Sequence, residues 1–326
     1  MVKPRVAVVI PCYKVSRSIL QVLAAIGKDV DSIYVVDDGC PENTGDLVIQ
    51  NCVDPRVQVI HHQRNQGVGG ATITGYYQAI AAGAEIIIKL DGDGQMDPAY
   101  IPALIAPILA GNADYTKGNR FFNLEDISQM PLIRVLGNAG LSFMSKFSSG
   151  YWDIFDPTNG YTAIHAKVAH FLPLDKLSQR FFFESDLLFR LNTVRAVVMD
   201  VPMPSSYGDE VSNLKISRAI FEFTIKHLKN LLKRIFYNYY LRDFNIASLE
   251  LLFGMMLFLF GVVFGTHKWT LSVMSGVPVT SGTVMLAALP VIIGVQLLLS
   301  FLNYDIQNTP RNVLHTRLKF ILKKRR

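Results

Sequence analysis

Cysteine is scarce in this chain, and its absence excludes two classes at once. Cys12, Cys40 and Cys52 are odd in number and show no C-x-x-C spacing, so neither a disulfide framework nor a zinc site is expected, and a reducing compartment is. Histidine offers no metal site either. His61 and His62 are adjacent, and on a strand they point to opposite faces; with no third ligand at suitable spacing they read as structural, as do His165 and His170. No G-x-G-x-x-G follows the first strand, which argues against a Rossmann dinucleotide site. The first apolar stretch, Val6–Ile10, is too short for a secretory signal, and none is expected.

Charge is missing from two long stretches. Ile246–Gly265 carries one acid, Glu250, and Val284–Leu302 has no charged residue, only Pro290 and Gln296 as exceptions to an apolar run. Each is about 20 residues, enough for a helix to span a bilayer; buried core helices of a larger fold are the alternative, but two such runs end to end rarely occur in soluble domains. The net charge of +6 gathers around them. Lys215, Arg218, Lys226, Lys229, Lys233, Arg234 and Arg242 precede the first run, and Arg311, Arg317, Lys319, Lys323, Lys324, Arg325 and Arg326 follow the second. The intervening loop holds only His267 and Lys268. Both flanks, and with them both termini, are therefore expected on the cytoplasmic side of an inner membrane. Basic residues beside two spans match anionic headgroups, so a lipid bilayer and not nucleic acid is the expected partner. Phe221, Ile225, Leu228, Leu232, Ile235 and Tyr239 recur at helical spacing with lysines beside them, as in an interfacial helix; packing onto the globular part is the alternative. The expected division is 1–210 globular, 211–245 juxtamembrane, 246–304 two spans and 305–326 a basic tail.

The first 200 residues alternate strands and helices. Strands are expected at Val6–Ile10 (ended by Pro11), Ser32–Val36, Val57–His61 and Glu85–Leu90, with helices at Ser18–Gly27, from Thr44 to about Cys52, and at Gly70–Ala82. This order predicts a parallel α/β sheet with covered faces. Each strand is followed by a polar cluster, so Pro11–Tyr13, Asp37–Gly39, Asn65–Gly70 and Asp91–Gln95 should line one sheet edge, where ligands bind in open α/β folds. In Asp91-Gly92-Asp93-Gly94-Gln95, two carboxylates and an amide converge; hard oxygen donors suit Mg²⁺ or Mn²⁺. The same acids also read as a turn before a helix, because Asp97-Pro98 is a good N-cap and first-turn pair. The glycines Gly67 and Gly70 open a helix, which suits either phosphate contact or tight helix–sheet packing.

In order and spacing, Val9-Ile10-Pro11-Cys12-Tyr13, Val35-Val36-Asp37-Asp38-Gly39, Asn65–Ala71 and Leu90–Gln95 resemble glycosyltransferase family 2. Lys117–Phe121, Asp156–Tyr161 and Phe182–Asp186 resemble its polyprenyl-phosphate branch, which includes dolichyl-phosphate mannosyltransferases and bacterial polyprenyl-phosphate glucosyltransferases. The resemblance implies a GT-A (Rossmann-like) catalytic domain and inverting, metal-dependent transfer of a hexose from a UDP-glucose or GDP-mannose type donor to undecaprenyl or dolichyl phosphate. It implies that Pro11, Tyr13 and Asp38 meet the base and ribose, and that Asp91, Asp93 and Gln95 hold Mg²⁺ or Mn²⁺ on the donor diphosphate. Arg120 and Arg134 match basic positions associated with the lipid phosphate, Asp156 an acid beside the transferring sugar, and Glu184 and Asp186 the acceptor side. One departure stands out. Relatives often place an arginine in the loop here occupied by Tyr207–Lys215, so either Lys215 substitutes or Arg120 and Arg134 act alone. A lipid phosphate is already anionic, so Asp156 is expected to position or stabilise and not to deprotonate. Two alternatives remain. A processive polysaccharide synthase would carry Q-x-x-R-W, which Gln179-Arg180-Phe181 does not supply. A catalytically silent membrane scaffold would tolerate loss of Asp91 or Asp93, yet both are present. A homo-oligomer is compatible with the sequence.

Overall fold

A computed structural model describes residues 3–122, 132–204 and 216–323, with the side chains of 132–136, 216–220 and 319–323 outside that description. Two compact units result: Met1–Leu231 with Pro310–Arg326, and Leu232–Thr309.

The first unit is built on a seven-stranded sheet in the order β3-β2-β1-β4-β6-β5-β7. Its strands are β1 Val6–Cys12, β2 Ser32–Asp37, β3 Val57–His61, β4 Ile86–Lys89, β5 Tyr115–Asn119, β6 Thr162–His165 and β7 Val198–Pro202. β1 and β4 are buried along their whole length, as continuous Val/Ile runs require when helices cover both faces. Those helices include α1 Ile19–Ala25, α2 Thr44–Asn51, α3 Val68–Ala81, α4 Ile101–Leu109, α5 Leu132–Ser149, α6 Ala166–Phe171 and α7 Phe183–Thr193. Two cores, one on each face, contain Val9, Tyr76, Ile87 and Leu187, and Val8, Leu23, Ile88 and Leu104.

The sheet differs from the sequence expectation in two places. β1 does not stop at Pro11. Its pairing with β4 ends at Val9↔Lys89 while that with β2 continues to Cys12↔Asp37, so Pro11 lies where the strand has a neighbour on one side only and its missing N–H is tolerated. The sheet is also mixed, because β6 is antiparallel to both β4 and β5. The turn before β6 carries Asp156 to Arg120, at the carboxyl end of β5; a strand leaving that edge must run back against its neighbours.

After α8, Ile216–Ile235, the chain makes a π-helical turn over Phe236–Arg242. Two helices in the second unit, α9 Ile246–Ser275 and α10 Ser281–Gln307, are long and apolar enough to cross a membrane. Their apolar surface is turned outward: Leu259, Val263, Leu286 and Ile292 are among many exposed side chains. Where α9 and α10 meet, a Cβ on Gly294 would lie 2.6 Å from the Phe258 nitrogen, so the close crossing requires glycine. Arg234 donates two hydrogen bonds to Asp305 (2.6 and 3.0 Å), which also accepts from the Tyr239 hydroxyl (2.6 Å).

The last helix, α11 Leu314–Lys323, returns to the first unit. Leu318 enters the core beside α3 and α6 residues. The fully buried Asp114 accepts from the Leu314, His315 and Val197 amides and lies 2.8 Å from His315 Nδ1. His315 stacks on His165 at 4.1 Å.

Candidate active site

The four polar clusters that follow strands gather at one sheet edge. Pro11, Tyr13, Asp38, Gly67, Asp91 and Asp93 line a cleft of about 460 Å³ together with Arg180 and Phe181. A second cavity of about 260 Å³ is lined by Gln95, Met96, Tyr100, Arg120, Tyr161 and Met203. The Asp91–Gln95 turn contributes to both.

The Asp37-Asp38-Gly39 turn is a backbone clamp as well as a wall of the cleft. Asp37 accepts from the Cys40 and Gly45 amides (2.7 and 2.6 Å). Asp38 Oδ1 accepts from the Gln66 amide, Oδ2 from the Gly67 amide, and His62 Nδ1 is 2.7 Å from Oδ1. His62 Nε2 in turn meets Thr74 Oγ1 at 2.9 Å. Gly67 has φ +92°, and a Cβ there would lie 2.6 Å from the Gln179 carbonyl; only glycine takes this turn cheaply. Gly70 donates its amide to that same carbonyl (2.9 Å) and does not line the cleft.

At the end of β4 the Asp91 carboxylate is half-exposed, and Lys89 Nζ approaches its Oδ1 to 2.6 Å and Glu184 Oε1 to 3.3 Å. Lys89 is 1% exposed. Burial opposes its charge, but the two carboxylates outweigh it and raise its pKa. Asp93 Oδ1 accepts from the Gln95 amide, so the turn also satisfies itself. Asp97 caps the following helical turn by accepting from the Ala99 amide. Metal ligation and capping use different acids and are compatible. The donor set fits a hard divalent ion. Among the described residues no three His, Cys, Asp or Glu side chains form a cage; Mg²⁺ or Mn²⁺ characteristically takes one or two carboxylates and completes its shell with water and substrate phosphate.

Arg120 follows β5 and grips the fully buried Asp156 bidentately: Nε to Oδ2 at 2.7 Å and Nη2 to Oδ1 at 3.1 Å. The paired arrangement makes Asp156 the orienter of a guanidinium at the wall of the second cavity. Lys117, also fully buried, donates to the Asn159 carbonyl. Burial lowers its pKa to about 8, against the pull of Glu184 and Asp156. Asp200 on β7 is pushed up to about 6 by burial, with Asp156 adding to the shift and the Phe155 amide and two lysines opposing it.

Several expected residues lie elsewhere. Glu184, at the start of α7, faces Lys89. Asp186 accepts from the Ser178 amide and Asn230 and pairs with Arg190, well engaged in packing. The Arg134 side chain, Lys215 and the Tyr207–Lys215 loop lie outside the described residues. Sequence reading missed Lys89, Lys117, Arg180 and Asp200. Lys89 sits inside an apolar run two residues before Asp91, an odd place for a lysine unless a carboxylate meets it; Lys117 opens the Lys117–Phe121 stretch but was given no role of its own, and Arg180 and Asp200 carried no local signal.

The sheet order, the strand-end acids and the cleft define a glycosyltransferase of the GT-A type. The chain belongs to glycosyl transferase family 2, whose sequence profile matches residues 7–172. It is similar to a UDP-N-acetylglucosamine–dolichyl-phosphate N-acetylglucosaminyltransferase of Methanococcus voltae, at 30% identity over 62% of this chain and 85% of the relative. A polyprenol monophosphomannose synthase of Mycolicibacterium smegmatis is 27% identical over 67% and 85%. The fold matches glucosyl-3-phosphoglycerate synthase from Mycobacterium tuberculosis in complex with UDP, with a TM-score of 0.53 and 16% identity over 71% of this chain and 80% of that one. A further structure of that synthase contains Mn²⁺, UDP and phosphoglyceric acid, with a TM-score of 0.52 at 16% identity over 71% and 78%.

Proposed function

We propose that this protein transfers a hexose, with inversion, from a nucleoside diphosphate sugar to polyprenyl phosphate at the cytoplasmic face of a membrane. The observation that carries the reading is the Asp91–Gln95 turn standing between a nucleotide-sized cleft and a cavity walled by Arg120. In this reading the first cavity takes the donor, the second the acceptor phosphate, and the anomeric carbon lies between them.

An oxygen of the acceptor phosphate attacks the anomeric carbon as its bond to the diphosphate oxygen breaks. Nucleophile and leaving group are both anions, so no proton must move. Arg120 holds the acceptor phosphate through guanidinium N–H groups, and Asp156 fixes the orientation of that guanidinium. A divalent ion on Asp91, Asp93 and Gln95 would offset the charge that develops on the leaving diphosphate. Lys89 holds the Asp91 carboxylate at the wall of the cleft through its 2.6 Å contact to Oδ1. Arg180 lies close enough to the cleft to meet the diphosphate, and Phe181 offers an exposed ring.

Membrane placement rests on the two apolar helices and on the basic residues flanking them. The segments before and after the hairpin belong to one compact unit, which supports both flanks lying on one side. The relatives' names supply the acceptor class. A screen of nucleotide sugars with purified protein, undecaprenyl phosphate and Mn²⁺, read by mass of the lipid product, tests the reading. One donor should yield a lipid-phosphate hexose, and Asp93→Ala should lower turnover by at least about 100-fold, the scale set by losing an electrostatic stabiliser. Undiminished product from Asp93→Ala would remove the metal assignment.

A further inference from the structure

Asp200 is on the edge strand β7, opposite Lys117 in register with β5. Its Oδ2 accepts two hydrogen bonds: 3.1 Å from Asn119 Nδ2 and 2.9 Å from the Phe155 amide. Asn119 immediately precedes Arg120, and Phe155 immediately precedes Asp156. One carboxylate oxygen thus joins the two chain segments whose next residues form the Arg120–Asp156 pair. The join is relayed further, because Asn119 Oδ1 accepts from the Phe121 amide (2.9 Å), which brackets Arg120 on both sides.

The 152–156 turn has a second support. Ser142 Oγ donates to the Phe155 carbonyl (3.0 Å), Lys146 Nζ donates to the Trp152 carbonyl (2.8 Å), and that ammonium lies 4.3 Å over the Phe155 ring. α5 therefore holds the turn by its carbonyl side. Asp200 ties the Phe155 amide to β5 through Asn119, while Asn159, three residues after Asp156, is bonded to Lys117 and Gly118 of the same strand. Asp200 Oδ1 is buried without a hydrogen bond from any described residue, a costly setting for a carboxylate. What this acid contributes is therefore sought in alignment, not in stability.

We infer that Asp200 is a positioning residue that locks the Asp156 turn to the Arg120 segment and so sets the direction of the Arg120 guanidinium. The inference rests on the proposed reaction for its kinetic consequence, though not for its structural one. A misplacement of about 1 Å at a reacting centre costs up to about 100-fold in rate; with α5 still holding the turn, about tenfold is expected here.

The test compares full-length Asp200→Ala and Asp200→Asn with the parent. Asparagine keeps one side-chain oxygen to accept from Asn119 and Phe155; alanine keeps none. Asp200→Ala should lower kcat about tenfold while donor KM stays within about twofold, the signature of lost alignment without lost donor binding. Asp200→Asn should recover most of that turnover. Amide exchange over 152–158 should be faster in the alanine variant and return to the parental rate in the asparagine variant. Parental kcat in Asp200→Ala, unchanged exchange over 152–158, or an asparagine variant no better than alanine would each overturn the inference. The exchange arm needs no sugar transfer. A protein that glycosylates no polyprenyl phosphate would end the functional reading and leave the exchange result to decide the role of Asp200.

Discussion

Lys89 shows how a single residue can be legible in composition and opaque in role. Three isoleucines and Leu90 surround it, so the strand is plain from the sequence, yet its burial becomes intelligible only when α7 brings Glu184 across to meet it. Removing the ammonium leaves the largely buried Glu184 carboxylate, and Asp91 beside it, without their shared cation. Lys89→Met is expected to cost about 3 kcal/mol, the range for breaking a buried ion pair by taking one partner. Chemical denaturation of the variant against the parent checks this. A stability loss below the error of the measurement would mean that water already solvates Asp91 and Glu184. Asp38 makes a related point: its position after β2 is readable, but three donors converge on it only because the neighbouring β3 brings His62 alongside and the Asn65–Gly67 loop folds back across the sheet edge.

Among the elements, α8 carries a pH-sensitive contact. His227 is buried, its ring 4.8 Å from Phe182 and its Nδ1 2.7 Å from Ser148 Oγ, and burial lowers its pKa from 6.5 to about 4. A histidine with a depressed folded pKa holds its full contribution above the unfolded value and loses it as pH falls toward the folded one. Acidification from pH 6.5 to 4 should therefore withdraw up to about 3 kcal/mol from the seat of α8 on Phe182 and α5. Amide exchange along α8 should quicken over that window in the parent. His227→Phe should lose the dependence; if it keeps it, another group is responsible. The apolar spacing of this helix was readable from the sequence. Which of its turns pack on protein was not, because Phe221 and Leu228 lie exposed while His227 and Asn230, polar in any scale, are buried.

At the scale of the molecule, the C-terminal segment is the largest departure from what charge alone suggests. Its lysines and arginines mark a basic tail, but Leu318 and His315 make it part of the first unit's core. Hydrogen bonds from His315 and three backbone amides hold the Asp114 carboxyl below its ordinary value although burial opposes them. Deleting residues 310–326 strips three of those donors and takes Leu318 out of the core, a loss on the order of 4 kcal/mol. The truncated protein, kept in detergent with its apolar hairpin intact, should melt well below the parent. Parental melting would mean that the docked helix contributes nothing to the fold.

The α/β alternation, the apolar hairpin and the strand-end acids were determined by the sequence itself. Burial of a strand or helix leaves its mark in the local pattern of apolar residues, and a turn must follow each strand. The antiparallel course of β6, the pairing of Arg120 with Asp156, the Lys89 bridge and the clamp at Asp200 were decided only by tertiary structure. Each joins residues dozens of positions apart, and nothing local in a sequence reports which distant carboxylate will neutralise a buried charge. The return of α11 to Asp114, 200 positions earlier in the chain, is the extreme case: a helix N-terminus and a buried acid satisfy each other only once the intervening chain has closed the loop.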